Sequence, residues 1–228
     1  MTNVGGYVLA GGEGRRMGAE KSALPLGGKS LLQIAVEKLM AVCGNAAVLC
    51  GQHYERAGNT AEGVPDLRES GGPLCGVEAA LAHSAREWNL VLAVDAPLVP
   101  VALLRAWIGD FICTAGTASV LVHDGVAQPL PVLIRTSALP HVQHALDARR
   151  FTLREVMEEA ATALGGRLER IPTETYRCRT AVPRDAWFAN VNYPNDLEHL
   201  RALQEKMDGA ALQRGFHPHL NGGTHGRF

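Results

Sequence analysis

Val4-Gly-Gly-Tyr-Val-Leu-Ala-Gly-Gly-Glu-Gly-Arg-Arg-Met-Gly-Ala-Glu-Lys21 is the segment on which the reading of this chain turns. Val4–Leu9 is uncharged and mostly apolar, as a buried strand is, and it opens directly into the glycine-rich stretch Ala10–Gly18. From Leu9 to Lys21, thirteen residues hold four glycines and three cations. A glycine-rich turn after a first strand lets backbone N–H groups approach a phosphate closely. It also stands at the carboxyl edge, where open α/β sheets bind their ligands. Two standard phosphate motifs do not fit. Gly12-x-Gly14 is followed by Gly18 one position too late for the dinucleotide fingerprint, and Ala19 and Glu20 separate Gly18 from Lys21, so the P-loop sequence is missing. A tight turn with solvated Arg15, Arg16 and Lys21 is the simpler alternative, but it needs fewer glycines and cations than stand here.

Outward from this segment, strand and helix patterns alternate. Ser30–Cys43 reads as a helix: Ser30 with Gln33 forms a capping box, and Leu31, Ile34, Ala35, Leu39 and Val42 recur at helical spacing. Ala46–Cys50 reads as a short strand, Gly72–Ser84 as a helix entered through Pro73, and Leu90–Val94 as a strand buried on both faces. A helix over Val101–Ile108 follows. This order predicts an α/β fold, a doubly wound, Rossmann-like and mostly parallel sheet flanked by helices. Beyond it, Ala118–His123 and Val132–Arg135 read as strands around the Asp124-Gly125 turn. Helices are expected near Ser137–Ala148 and Thr152–Leu164, a strand over Arg167–Ile171 and a last helix over Asp196–Lys206. No linker divides the chain, so residues 1–206 read as a single domain. From about Asp208 the apolar period is lost, and 207–228 is expected to be a mobile tail. His217, His219 and His225 are potential metal ligands, but their glycine-rich setting reads as tail.

The composition narrows the function. The chain has 228 residues, 46% hydrophobic and 20% charged, as a globular protein does. Twenty-two basic residues against 23 acidic ones leave no excess for nucleic acid. No run of about 18 apolar residues is present to span a membrane, and no secretory leader is evident. Five cysteines, odd in number and without a C-x-x-C pair, argue against a disulfide framework or a zinc ribbon. They read as reduced core residues of a cytoplasmic protein.

Three further segments carry chemistry. In Asp66-Leu-Arg-Glu-Ser-Gly-Gly-Pro-Leu-Cys-Gly76, the Gly71-Gly72-Pro73 step by itself is punctuation between loop and helix. In Ala93-Val94-Asp95-Ala96-Pro97-Leu98, an aspartate ends a buried strand. Desolvating it costs several kcal/mol, about 3 or more, without a partner, so it needs a metal or a role as cap of the following turn. Ala189-Asn-Val-Asn-Tyr-Pro-Asn-Asp196 is a normal helix start, with Asp196 complementing the positive end, and its asparagines can equally face a site.

Leu-Ala-Gly-Gly-x-x-x-Arg-Met-Gly-x-x-Lys resembles the signature of the nucleotidyltransferases that make activated sugars and cofactors. Within them it is most similar to the molybdenum cofactor guanylyltransferases. The resemblance covers residues 4 to about 206 and implies a nucleotide-diphospho-sugar transferase-like fold. It implies that Leu9, Ala10, Gly11, Gly12 and Gly14 approach GTP, Arg15 its phosphates and Lys21 the triphosphate. Gly72, Pro73, Leu74 and Gly76 match the family's Gly-Pro-Leu-Ala-Gly base-recognition loop, with Cys75 in place of alanine. Asp66 matches the upstream aspartate if one residue of gap is allowed. A carboxylate accepts the N1 and N2 hydrogens of guanine, which cytosine does not offer. The sister cytidylyltransferases carry Thr-Ala-Ala-Gly in the first loop and lack the Gly-Pro-Leu pattern.

Asp95 falls on the family's magnesium-binding aspartate, so Mg²⁺ is the expected cofactor. Asn190 and Asn192 fall on an Asn-x-Asn-x-Pro-x-Asp segment, where they would face the metal-bound phosphates or the incoming pterin; Val132–Arg135 and Pro140 are further candidates for the pterin side. One departure is Cys50-Gly51-Gln52, where better-known members have an asparagine near the nucleoside. The implied reaction has Arg15, Lys21 and Asp95 as its catalytic residues. GMP passes from GTP to molybdenum-bound molybdopterin, pyrophosphate leaves, and contact with molybdoenzymes or their chaperones would follow. Another phosphate acceptor, or a non-catalytic accessory role, are the alternatives.

Overall fold

The computed structural model describes residues 3–10, 21–50, 61–69, 71–178 and 180–213. In chain order the elements are β1 (Val4–Leu9), β2 (Pro25–Leu26), β3 (Lys29–Ser30), α1 (Leu31–Cys43), β4 (Ala47–Leu49), β5 (Glu62–Val64), α2 (Pro73–His83), β6 (Trp88–Ala93), α3 (Val101–Phe111), β7 (Ala118–His123), β8 (Val126–Arg135), α4 (Leu139–Asp147), α5 (Leu153–Ala163), β9 (Leu168–Pro172) and α6 (Pro194–Gln213). Seven strands form one sheet in the order β5-β4-β1-β6-β8-β7-β9, and β2 and β3 make a separate small hairpin. The pairs β5–β4, β4–β1, β1–β6 and β7–β9 are parallel. Strand β8 runs antiparallel to both neighbours, so the sheet is mostly parallel, as expected, with one reversed strand. The reversal follows from Asp124-Gly125: both residues have positive φ, 48° and 78°, and such a turn folds β7 straight back into a hairpin.

Alternation along the strands feeds two cores. Val8, Leu90, Leu92, Leu121 and Leu133 face α1, α3 and α6. Tyr7, Val91, Val120, Val132 and Ile134 face α2, α4 and α5. Helix α1, which joins β1 to β4, therefore lies on one face, and α2, which leads back to β6, lies on the other. The chain runs outward from β1 to β4 and β5 and then returns past β1 to β6, and this reversal of direction makes a switch point with a crevice at the carboxyl ends of β1 and β6.

Helix α1 begins as its sequence dictates. The Gln33 N–H donates to Ser30 Oγ (3.1 Å), and the Ser30 N–H donates to Gln33 Oε1 (2.8 Å). Ser30→Ala is expected to cost about 1 kcal/mol, a drop of about 2–4 °C in the thermal midpoint. An unchanged melting curve would mean that packing of Leu31, Ala35 and Leu39 alone holds this end.

Several boundaries differ from the sequence reading. Strand β8 begins at Val126, not Val132, and α6 spans Pro194–Gln213, past the expected end at Lys206. Strand β5 was not legible because Glu62-Gly-Val64 is too short to show alternation. Cys43 and Cys75 are core residues, but Cys113 is exposed, and none of the five forms a disulfide. His217, His219 and His225 lie outside the described residues. Among the described residues no helix is long and apolar enough to cross a membrane.

Candidate active site

At the switch point the backbone knits three strand ends together. The Ala10 N–H donates to the Leu49 carbonyl (3.0 Å), and the Val94 N–H donates to the Leu9 carbonyl (3.1 Å). Asp95 leaves this edge directly after β6. Lys21, which opens a short 3₁₀ turn, returns the chain to the same place. Its Nζ donates to Asp95 Oδ2 at 3.1 Å and to Asn192 Oδ1 at 3.0 Å. The Lys21 and Asp95 side chains are about three-quarters covered, 22% and 26% exposed. The partner that a strand-ending aspartate requires is thus a lysine 74 residues upstream.

Asn192 is brought there by backbone ties. The Val191 N–H donates to the Asp95 carbonyl (2.9 Å), while the Val191 side chain is fully buried. Asp196 Oδ2 accepts the N–H groups of Asn192 and Tyr193, each at 2.8 Å. Those two amides hold the Asp196 carboxyl below the usual carboxylate range, and the Lys21 charge adds to the effect. Asp196 thus anchors the start of α6, and Asn192 is tied to the Lys21–Asp95 pair. Asn190 is exposed, and no hydrogen bond among the described residues joins its side chain to this cluster.

The loop entering α2 lies beside the same edge. Gly72 has φ 61° and ψ −146°, a conformation that is essentially restricted to glycine. Gly72 and Pro73 are exposed, whereas the Leu74 side chain is fully buried in the core. At Gly76 an added Cβ would stand 2.2 Å from Leu9 Cδ1, so α2 packs close on the end of β1, and a larger residue there would require the Leu9 side chain to turn aside. Asp66 follows β5. Burial, with the charge of Glu78 next, raises its carboxyl above the usual range. Burial and then the Asp66 charge raise the Cys50 and Cys75 thiols. Asp66 thus belongs to the α2 side of the crevice. Gly11, Gly12, Gly14 and Arg15, together with Gly51 and Gln52, lie outside the described residues.

Two supporting groups escaped the sequence reading. Glu78, buried on α2, accepts from Arg68 Nε at 3.0 and 2.9 Å, and Arg68 Nη1 reaches Asp147 on α4 at 2.6 Å. This bridge braces the Asp66 loop, and the only local signal was a glutamate inside an otherwise apolar helix. Lys38 of α1 donates to the Pro97 carbonyl, two residues past Asp95. Burial pushes its ammonium down to about 7. The further pterin-side candidates are corrected. Val132, Leu133 and Ile134 are core, Arg135 lies over the Trp88 ring and pairs with Glu87, and Pro140 follows in α4. Because β8 is reversed, Arg135 stands at the amino edge of the sheet opposite Trp88, and Val132 lies within the sheet opposite Val91.

This architecture is that of the nucleotidyltransferases. A nucleotidyl transferase of Methanothermobacter thermautotroptrophicus superposes with a TM-score of 0.66 over 89% of this chain and 98% of its own, at 18% identity. The molybdopterin-guanine dinucleotide biosynthesis protein A of Archaeoglobus fulgidus superposes with a TM-score of 0.71 at 26% identity, over 89% and 99% of the two chains. The family model of the MobA-like NTP transferase domain matches residues 6–164, and the chain belongs to that family. A molybdenum cofactor guanylyltransferase of Rhizobium meliloti is 32% identical over 205 residues, 86% of this chain and 89% of the relative.

Proposed function

We propose that this chain transfers GMP from GTP to molybdenum-bound molybdopterin. The observation that carries the reading is the convergence of Lys21, Asp95 and Asn192 at the carboxyl edge of β1 and β6, in a chain of the MobA-like family. In the reaction an acceptor phosphate oxygen bonds to the α-phosphorus of GTP. The bond from that phosphorus to the bridging oxygen breaks, and pyrophosphate departs with the electron pair. The acceptor phosphate is ionised at neutral pH, so no general base is needed. What remains for the protein is positioning and charge neutralisation.

In this reading Lys21 neutralises the charge that accumulates on the leaving pyrophosphate. Asn192 Oδ1 aims the ammonium, and the Val191–Asp95 backbone bond keeps both partners in register. The glycine loop, with Arg15, would cradle the triphosphate. Gly72, Pro73 and Asp66 would read the base. Asp95 would hold Mg²⁺. Among the described residues no group of three or more His, Cys, Asp or Glu side chains is assembled to hold a metal. One partly exposed carboxylate beside an amide oxygen therefore fits an ion that takes most of its ligands from phosphate and water. Such an ion supplies charge neutralisation on the triphosphate when bound.

Base choice is tested by ligand-linked stability. With Mg²⁺ present, GTP at about 100 times its Kd is expected to stabilise the fold by about 2.7 kcal/mol, or about 5–10 °C for a chain of this size. CTP at the same concentration is expected to give no shift. A shift with CTP alone overturns the guanine assignment, and GTP-dependent pyrophosphate release that ignores molybdopterin overturns the acceptor.

A further inference from the structure

Strand β8 does not stay in register along its length. Val91 of β6 pairs with Val132. On the other side Val120 pairs with Val132 while Val122 pairs with Ala127, so Gln128–Pro131 bulge out of the ladder. The bulge begins level with the end of β6, the strand that delivers Asp95. Bulges of this kind re-aim side chains beside sites. Here the displaced residues help wall a cleft of about 410 Å³ on the α2 and α5 face, lined by Gln128 and Leu130 of β8 and by Pro73 at the start of α2.

The floor of this cleft is apolar and well packed: Met157 is 1% exposed, Val120 4% and Leu168 6%. Its rim is polar at Gln128 and Arg154 and aromatic at Phe151. Phe151 is 43% exposed. Gly71, directly before the Gly72-Pro73 step, would bring an added Cβ within 3.6 Å of its ring. The cleft has the size and the chemistry of a small-molecule site, apolar walls with a few polar groups at the edge. It opens at the same edge of the sheet as the Lys21–Asp95 pair.

We propose that this cleft takes the fused heteroaromatic ring of the phosphate acceptor, with Phe151 as the face on which the ring stacks. The assignment rests on the transfer reading above and adds to it where the acceptor ring lies. The ring occupies the apolar floor, its polar edge meets Gln128 and Arg154, and its phosphate arm turns toward Lys21 and Asp95. The nucleotide enters from the other side of Pro73, over the ends of β1, β4 and β5. The two substrates then meet at the end of β6.

Steady-state kinetics of Phe151→Ala and Phe151→Trp, with molybdopterin as acceptor, test this. Phe151→Ala is expected to raise the acceptor KM about tenfold, the scale of one lost aromatic stack, and to leave the KM for GTP unchanged; Phe151→Trp is expected to restore it. Binding of a phosphate-free pterin, followed by its own fluorescence, should weaken in Phe151→Ala by a similar factor. An unchanged acceptor KM in an enzyme that still forms product overturns the cleft assignment and leaves the transfer reading standing. An equal rise in both KM values also overturns it, because it marks a merely structural role. A wild-type protein that makes no guanylylated pterin from GTP overturns the transfer reading, and the cleft assignment falls with it.

Discussion

Asp95→Ala is expected to lower the rate of GTP-dependent pyrophosphate release by about a thousandfold, the scale at which loss of one electrostatic group at a phosphoryl centre is felt. Stability should hardly change. The Lys21–Asp95 pair is about a quarter exposed on each side, and ion pairs of that kind contribute about 0–1 kcal/mol. The backbone contact that seats Val191 uses the Asp95 carbonyl, which alanine retains. A rate within tenfold of wild type, in a variant with an unaltered melting curve, would remove Asp95 from the chemistry.

Lys21→Met comes next, with an expected loss of about 10²–10³-fold in kcat. Methionine keeps the length and apolar stem of the side chain but removes the charge that Asp95 and Asn192 hold in place. Lys21→Arg should recover only part of the rate, since a planar fork does not reproduce a compact ammonium between two oxygen acceptors. The double variant Lys21→Met/Asp95→Ala is informative because groups that act as a unit are strongly non-additive. Its rate should lie close to that of the slower single variant. A fully multiplicative loss in single-turnover pyrophosphate release would separate the two residues into independent roles.

Part of this cluster is legible in the sequence. Lys21 stands out as the last cation of the glycine-rich segment and Asp95 as an aspartate that ends a buried strand, and the two are joined by a 3.1 Å hydrogen bond. Gly72 and Gly76 were read as members of a ligand loop. The backbone angles of Gly72 show why that position favours glycine, and Gly76 lies close against the Leu9 side chain. Glu78 and Lys38 were invisible for a common reason. A charged residue on a helix reads as solvent-facing until the opposing element is known, and Arg68 and the Pro97 carbonyl become their partners only when α2, α4 and the Asp95 loop are assembled.

Local order along the chain accounts for the elements themselves: the apolar run of β1, the reciprocal Ser30–Gln33 cap and the Asp124-Gly125 reversal each depend on interactions within a few residues, which a linear pattern records. The pairing of Lys21 with Asn192, 171 positions away, is of another kind. It depends on the sheet order that places β6 beside β1 and on the Val191 amide finding the Asp95 carbonyl. Sheet order is decided by which apolar faces bury against each other, a global property of packing that no short stretch of sequence contains.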